Sequence, residues 1–321
     1  MQGLVTVFGG SGFIGSQVVR ALAKRGHRVR VAVRRPWLAY RMRMLGDVGQ
    51  IETVQANVRA PDSVARALDG AQGCVNLVGV LYEAGRQKFD DLHAEGAQTI
   101  ATLAQSAGVQ RLIHISAIGA DANGAAKYAR SKAMGEAVTR GAFPAATLLR
   151  PSIVFGQGDS FFNRFAAMAA SPIPVLPLIG GGATRFQPVF IGDVASAVAG
   201  ALQDPSTAGA TYELGGPGIY TFKALLELIC QETGRHPILL PIPFPLASLI
   251  GAVGDIQSVL LPPLLTSDQV TLLKQDNVVA AGALGLADLG IQATSVEAII
   301  PSYLYRFRKG GQYADAIAGG V

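Results

Sequence analysis

Leu4-Val5-Thr6-Val7-Phe8-Gly9-Gly10-Ser11-Gly12-Phe13-Ile14-Gly15 is the stretch on which the fold turns. Its first five residues are apolar or β-branched and read as a strand. The glycines that follow read as a tight turn. Ile14, Val18, Val19 and Leu22 then recur as one apolar face of a helix. Strand, glycine turn and helix, in that order, are the setting of a dinucleotide-binding fingerprint. Gly9 permits the turn, Gly12 lets backbone approach a pyrophosphate, and Gly15 lets the helix lie close on the strand. The helix N-terminus adds unpaired N–H groups and a positive dipole end, with Ser11, Phe13 and Ile14 in the same turn.

Beyond this stretch, apolar runs alternate with helical patterns, which predicts an α/β fold with a parallel sheet covered on both faces. Strands are expected at 29–33, 51–56, 74–78, 111–115 and 146–149, and helices at 62–68, 89–107 and 125–140. Right-handed crossovers give a doubly wound Rossmann sheet of order 3-2-1-4-5-6, its ligand crevice at the strand C-termini. Past Arg150-Pro151 the regularity fades. Helices are expected at 161–170, 193–202, 222–232 (capped by Thr221) and 296–307, with strands at 186–190 and 211–214. The expected organisation is a nucleotide-binding domain at 1–155, completed by about 185–204, and a smaller lobe at 156–321 set over the crevice.

The chain has 321 residues, half of them apolar and only 15% charged, with a mean hydropathy of +0.34. Cys74 and Cys230, both in apolar runs, are too few for a disulfide scaffold and read as buried thiols in a reducing compartment. No Cys/His cluster has metal-ligand spacing, so no metal is expected. The sequence enters its first strand at once, leaving no room for a leader unless one has already been removed. Two uncharged stretches, 165–184 and 237–254, are long enough to raise the question of a membrane span, but proline at their density leaves carbonyls that lipid would not tolerate. The net charge of +5 is unevenly spread. Lys24, Arg25, Arg28, Arg30, Arg34, Arg35, Arg41 and Arg43 crowd into twenty residues. They contain no recognisable nucleic-acid module and read mostly as solvated surface.

Arg34 and Arg35 have a sharper reading. At the end of strand two an acidic residue would bond an adenosine ribose hydroxyl, whereas arginine accommodates a 2′-phosphate. This chain offers two arginines and no carboxylate, which points to NADP(H). Tyr128 and Lys132 stand four apart on a predicted helix and so share a face. A lysine one turn from a phenol can lower its pKa and hold a ribose hydroxyl.

Together the glycine turn, Tyr128-x-x-x-Lys132 and Arg150-Pro151-Ser152-Ile153-Val154-Phe155-Gly156 resemble the extended short-chain dehydrogenase/reductase superfamily, over about residues 3–235. Asp193-Val194-Ala195 is similar to that group's returning segment. The resemblance implies Asn57 and Val58 beside the adenine and Val78 and Gly79 on the cofactor's ribose side. It also implies that Lys132 holds the nicotinamide ribose, with Ser116 and Pro151 among the neighbouring contacts. The chain departs from the pattern at one place. Catalytic members present a Ser or Thr two positions beyond the strand-five serine, and here that position is Ile118. Tyr128, Lys132 and Ser116 are thus vestigial catalytic candidates, and no catalytic residue is assigned with certainty.

His114-Ile115-Ser116-Ala117-Ile118-Gly119-Ala120-Asp121, Tyr128 through Glu136, Ala142-Phe143-Pro144 and Pro241 through Leu246, with Leu265 through Val270 behind it, narrow the resemblance to one branch. They are similar to the respiratory complex I accessory subunits of the alpha-subcomplex-nine type. That branch implies tightly bound NADPH in a structural or regulatory role near the quinone-site region. Its partners would be other complex I subunits where the peripheral and membrane arms meet, with a lipid or membrane-interface contact. It would sit on the inner (cytoplasmic or matrix) face of an energy-transducing membrane, without a transmembrane helix. The alternative is an NADP-dependent reductase or epimerase acting on a carbonyl compound. Residues 238–265 carry one charge, Asp255, and include Phe244, Leu246, Leu249, Ile250, Leu260 and Leu261. They read equally as lobe core or as an apolar docking surface, with Tyr303, Tyr305, Arg306, Phe307, Arg308 and Lys309 at its rim. His114, alone in mid-strand, reads as a satisfied core residue.

Overall fold

Seven short runs rich in Val, Ile and Leu form one parallel sheet in the computed structural model, which describes residues 3–258 and 263–313. The strands are β1 (Leu4–Phe8), β2 (Arg28–Val33), β3 (Ile51–Gln55), β4 (Gly73–Asn76), β5 (Arg111–Ile115), β6 (Thr147–Pro151) and β7 (Thr211–Leu214). Their order is β7-β6-β5-β4-β1-β2-β3. This is the expected doubly wound order, extended at one edge by β7. The strand sequence reverses direction between β1 and β4, the switch point at which such sheets open a crevice.

Helices α1 (Phe13–Lys24), α2 (Pro61–Leu68), α3 (Gly96–Ser106), α4 (Lys127–Ala142) and α5 (Ile191–Gln203) cover both faces. α1 packs on α5, and α2, α3 and α4 pack side by side. Leu22, Val64, Ile100 and Leu112 are essentially inaccessible to solvent. Burying each aliphatic side chain of this kind contributes about 1.5–3 kcal/mol. At the opposite edge from the switch point, Arg111 Nη2 donates to Ala201 O (2.8 Å), Asp204 O (2.9 Å) and Thr207 Oγ1 (2.6 Å). It thereby satisfies carbonyls at the C-terminal end of α5.

The chain divides into two compact units. The first comprises Met1–Pro151, Ile191–Leu214 and Ala280–Gln292 and contains the whole seven-stranded sheet. The second comprises Ser152–Phe190, Gly215–Val279 and Ala293–Val321. Its core is aromatic: Phe155, Phe162, Phe186 and Phe222 are buried, and Phe161, Phe165 and Phe222 meet edge-on at centroid distances of 5.0–6.1 Å. The helix Phe222–Thr233 is capped as expected, Thr221 Oγ1 accepting the Ala224 N–H at 3.1 Å.

Three expectations fail in this second unit. The strand expected at 186–190 is two strands: Arg185–Phe186 pairs antiparallel with Tyr220–Thr221, and Val189–Phe190 pairs parallel with Val154–Phe155. Pro188 stands at the break, where it has no N–H for a ladder. The helix expected at 296–307 is three short pieces, Val296–Ile299, Pro301–Leu304 and Tyr305–Phe307, interrupted where Pro301 removes a backbone donor. Tyr303, expected at a surface rim, is 4% exposed and donates to Asp159 Oδ2 at 2.8 Å. In the same unit Cys230 is half-buried, whereas Cys74 in β4 is fully buried and its thiol pKa is raised by that burial.

Within the apolar stretch lies the helix Phe244–Gln257. Its small residues Ala247, Gly251 and Gly254 face inward, and a Cβ on Gly254 would lie within 1.8 Å of Leu265 O. Leu246, Leu249, Val253 and Ile256 point to solvent. Close backbone approach at Gly251 and Gly254, together with Ala247 buried against Ile179 and Val270, seats this helix. Leu260 and Leu261 lie outside the described residues. Among the described residues no helix is long and apolar enough to cross a membrane.

Candidate dinucleotide site

The glycine turn lies against the end of β4. Gly9 adopts φ +77°, and a Cβ there would meet Leu77 C at 3.1 Å and Val78 N at 3.3 Å. Gly15 is more constrained, since a Cβ would lie 2.4 Å from Gly9 O and 2.7 Å from Gly10 Cα. A Cβ on Gly12 would meet only Gly9 O, at 3.3 Å, so its outer side is open. Gly12 is also the N-cap of α1 and offers no side chain to the first-turn N–H groups. Ser11 and Gly12 are exposed, Phe13 and Ile14 half-buried. These residues fit a dinucleotide's phosphates: the backbone can be approached closely at Gly12, and the donors at the start of α1 point to that opening.

Arg34 and Arg35 are exposed at the C-terminal end of β2. Next to them, the Ala56 N–H donates to Val33 O at 2.9 Å and continues the ladder to Asn57 and Val58. Asn57 N donates to Ser63 Oγ (2.9 Å), and Asn57 Oδ1 accepts from Arg59 N (3.2 Å). Val58 is 7% exposed and packs on Gly96 at the start of α3, so it belongs to the core. Strand β4 ends two residues earlier than expected because Asn76 Oδ1 accepts the Val78 N–H at 3.0 Å and turns the chain. Val78 is half-buried and Gly79 exposed beyond that turn.

Gly79 meets the Tyr128–Lys132 helix. A Cβ on Gly79 would lie 3.3 Å from Lys132 Nζ and 3.5 Å from His93 Nε2. Lys132 is 6% exposed, its ammonium reaching Ile115 O at 3.4 Å and standing 5.8 Å from the Tyr128 ring centroid. Burial pushes the Lys132 pKa down to about 8, against the pull of Glu136. Ser116, one residue past β5, is 3% exposed; its N–H donates to Leu149 O at 2.8 Å, while its buried Oγ has no hydrogen-bond partner among the described residues. Ile118 is 8% exposed, and its N–H donates to the carbonyl of Pro151, at the end of β6, at 3.1 Å. A buried aliphatic side chain thus occupies the position where the resemblance implies a hydroxyl.

His93, which the sequence reading passes over, joins these parts. Val80 N–H donates to His93 Nε2 at 3.0 Å. His93 Nδ1–H donates to Ser131 Oγ at 2.9 Å, since that hydroxyl itself donates to Tyr128 O at 2.8 Å. The imidazole stacks on Phe89 and meets the Tyr128 ring edge-on at 5.6 Å. Burial holds its pKa down to about 3, with the charges of Lys132 and His114 adding to the effect. Behind it, Asn76 Nδ2 donates to His114 Nδ1 at 3.1 Å, so His114 is the satisfied core residue expected, neutral and held to about 3 by burial and then Lys132. Glu136, one turn beyond Lys132, takes a two-pronged bond from Arg150 at 2.8 and 2.6 Å. The arrangement gathers the turn, Gly79, Lys132 and Tyr128 at the C-terminal edge of β1, β4 and β5, and leaves Arg34, Arg35 and Asn57 along the ends of β2 and β3.

A parallel doubly wound sheet with a glycine turn at its switch point and a Tyr–Lys helix beside it defines an extended short-chain dehydrogenase/reductase. The chain belongs to the NAD dependent epimerase/dehydratase family, whose pattern matches residues 5–215. Among its relatives is "NADH dehydrogenase [ubiquinone] 1 alpha subcomplex subunit 9, mitochondrial" of Arabidopsis thaliana, 35% identical over 97% of this chain and 80% of that one. The "Ceramide reductase" of Caulobacter vibrioides is 29% identical over 79% of this chain and 78% of that one. The fold is shared with the NADPH complex of the quinone oxidoreductase QOR2 from Escherichia coli, at 19% identity and a TM-score of 0.71, covering 94% of this chain and 98% of that one.

Proposed function

We propose that this chain is an NADP(H)-binding accessory subunit of respiratory complex I, in which the nucleotide is held tightly and not turned over. The observation that carries the reading is the 35% identity to the Arabidopsis subunit across nearly the whole chain. In this reading the turn from Gly9 to Gly15 holds the pyrophosphate and Arg34 and Arg35 hold the 2′-phosphate. Asn57 flanks the adenine with the backbone of the core residue Val58 beside it, and Val78, Gly79, Ser116, Tyr128, Lys132 and Pro151 surround the nicotinamide end. A bound nicotinamide would supply hydride chemistry, and the chain's own residues are poorly arranged to direct it. Ile118 donates no side-chain hydrogen bond to a carbonyl. By analogy with oxyanion-hole deletions, the loss of such a donor costs about 3–4 kcal/mol of transition-state stabilisation. A ligand bound only by the folded state still stabilises that state, which accounts for a kept site without chemistry.

The proposed place is the junction of the peripheral and membrane arms, on the inner face of the membrane, with other subunits and lipid as neighbours. The solvent-facing Leu246, Leu249, Val253 and Ile256 support a covered surface there. Extraction in mild detergent followed by native electrophoresis tests the reading: the chain is expected to migrate with the NADH:quinone oxidoreductase, and a free chain with no co-migrating redox subunits overturns it.

A second reading is favoured by the unpartnered Ser116 Oγ and the kinship to a reductase. There Tyr128 acts as acid, Lys132 supports it, and Ser116 substitutes for the missing donor. Steady NADPH oxidation with a carbonyl substrate, abolished by Tyr128→Phe, would establish it.

A further inference from the structure

The segment between β2 and β3 is built on a three-residue period. Pro36–Leu38 and Tyr40–Leu45 are 3-10 turns that meet at Ala39. Residues three apart stand over one another in that geometry. One row, Ala39, Met42 and Leu45, faces the sheet and α1, with Ala39 and Met42 buried and Leu45 half-buried. The other two rows, Trp37-Tyr40-Arg43 and Leu38-Arg41-Met44, are exposed throughout. Trp37 is 67% exposed, Leu38 64%, Tyr40 67% and Met44 76%. Arg34 and Arg35 lead into the segment, and no acidic residue occurs between Val33 and Asp47. Arg43 Nη2 donates to Thr53 Oγ1 at the long distance of 3.4 Å.

We propose that this segment docks on the surface of an anionic lipid bilayer, a surface that deepens, and rests on, the membrane-peripheral reading above. Both outward rows combine an apolar tip with a guanidinium. Trp37 and Tyr40 suit the headgroup level, where an apolar body and a polar tip are both satisfied. Leu38 and Met44 enter the acyl boundary beneath, and Arg41 and Arg43 meet lipid phosphates with charge-assisted bonds. The unbroken positive charge selects an anionic surface over a neutral one. Aliphatic side chains placed between the aromatics favour lipid over a nucleic acid, which would need a continuous stacking platform.

The test uses the purified full chain and flotation with vesicles of phosphatidylcholine, alone or mixed with cardiolipin. Binding is expected to cardiolipin vesicles, to weaken with salt, and to be slight on phosphatidylcholine. Arg41→Ala and Arg43→Ala each weaken it by roughly fivefold, and Trp37→Ala weakens it further, while NADPH affinity and the unfolding midpoint stay unchanged. Absence of binding to cardiolipin vesicles, equal binding to neutral ones, indifference to the three substitutions, or tighter binding to single-stranded RNA than to vesicles overturns the proposal. Vesicle binding is read on the isolated chain, so its failure removes this surface alone, whereas failure to migrate with the redox complex removes the proposed function.

Discussion

His93 Nδ1 lies 2.9 Å from Ser131 Oγ, and this bond, with the one from Val80 N–H to Nε2, joins the turn after β4 to the helix that carries Tyr128 and Lys132. Replacing the imidazole strands a backbone donor and leaves space beside the Tyr128 ring. His93→Ala is expected to lower stability by about 2–4 kcal/mol and to weaken NADPH binding several-fold. Urea unfolding with and without NADPH checks both, and an unchanged midpoint would contradict the bridging role.

Acid sensitivity follows from the same residue and its neighbour. His93 and His114 bind a proton near pH 6.5 when unfolded but only near about 3 when folded. Between those values the unfolded state holds more protons, so stability rises with pH through this window and falls as pH drops below 6.5. Thermal unfolding is expected to show a midpoint that begins to decline near pH 6.5. A midpoint that stays level down to pH 4.5 or so would contradict the neutral, buried assignment.

The glycines separate binding from folding. A Cβ on Gly12 meets only Gly9 O, at 3.3 Å, whereas one on Gly15 lies 2.4 Å from that atom. Gly12→Ala is expected to change the unfolding free energy by no more than about 1 kcal/mol while reducing NADPH affinity at least tenfold. Gly15→Ala is expected to lose both stability and binding. Calorimetric titration beside thermal unfolding reads the difference.

In the proposed function, cofactor choice rests on Arg34 and Arg35, exposed at the end of β2. The wild-type chain is expected to bind NADPH at least tenfold more tightly than NADH, and Arg34→Ala with Arg35→Ala to erase that preference by weakening NADPH alone. Equal affinities in the unsubstituted chain would sink the assignment.

The sheet and its glycine turn were legible because strands buried on both faces are written as apolar, β-branched runs: β1 falls where that pattern puts it and β2 within one residue of it. His93 was hidden by a wide π-type turn at Asp90–Glu95, ahead of α3. The wide turn adds a residue, so Leu92, His93 and Ala94 are buried in succession, which no 3.6-residue period anticipates. Strand β4 ends two residues before its apolar run does, because the Asn76 side chain, not the hydrophobic pattern, ends it. In the second unit, Pro188 and Pro301 break runs whose apolar content alone suggested continuity. The departure at Ile118 was legible only through family resemblance, while the unpartnered hydroxyl of Ser116 beside it needed coordinates.

In the proposed role this chain keeps a nicotinamide nucleotide as a structural ligand within a larger redox assembly. The most direct measurement is to purify the chain with its native membrane partners, denature it, and quantify the nucleotide released per chain. One equivalent of NADP(H), from a preparation that also contains NADH:quinone oxidoreductase subunits, is the predicted result. A chain that purifies alone, or that releases NAD(H) or no nucleotide, would contradict it.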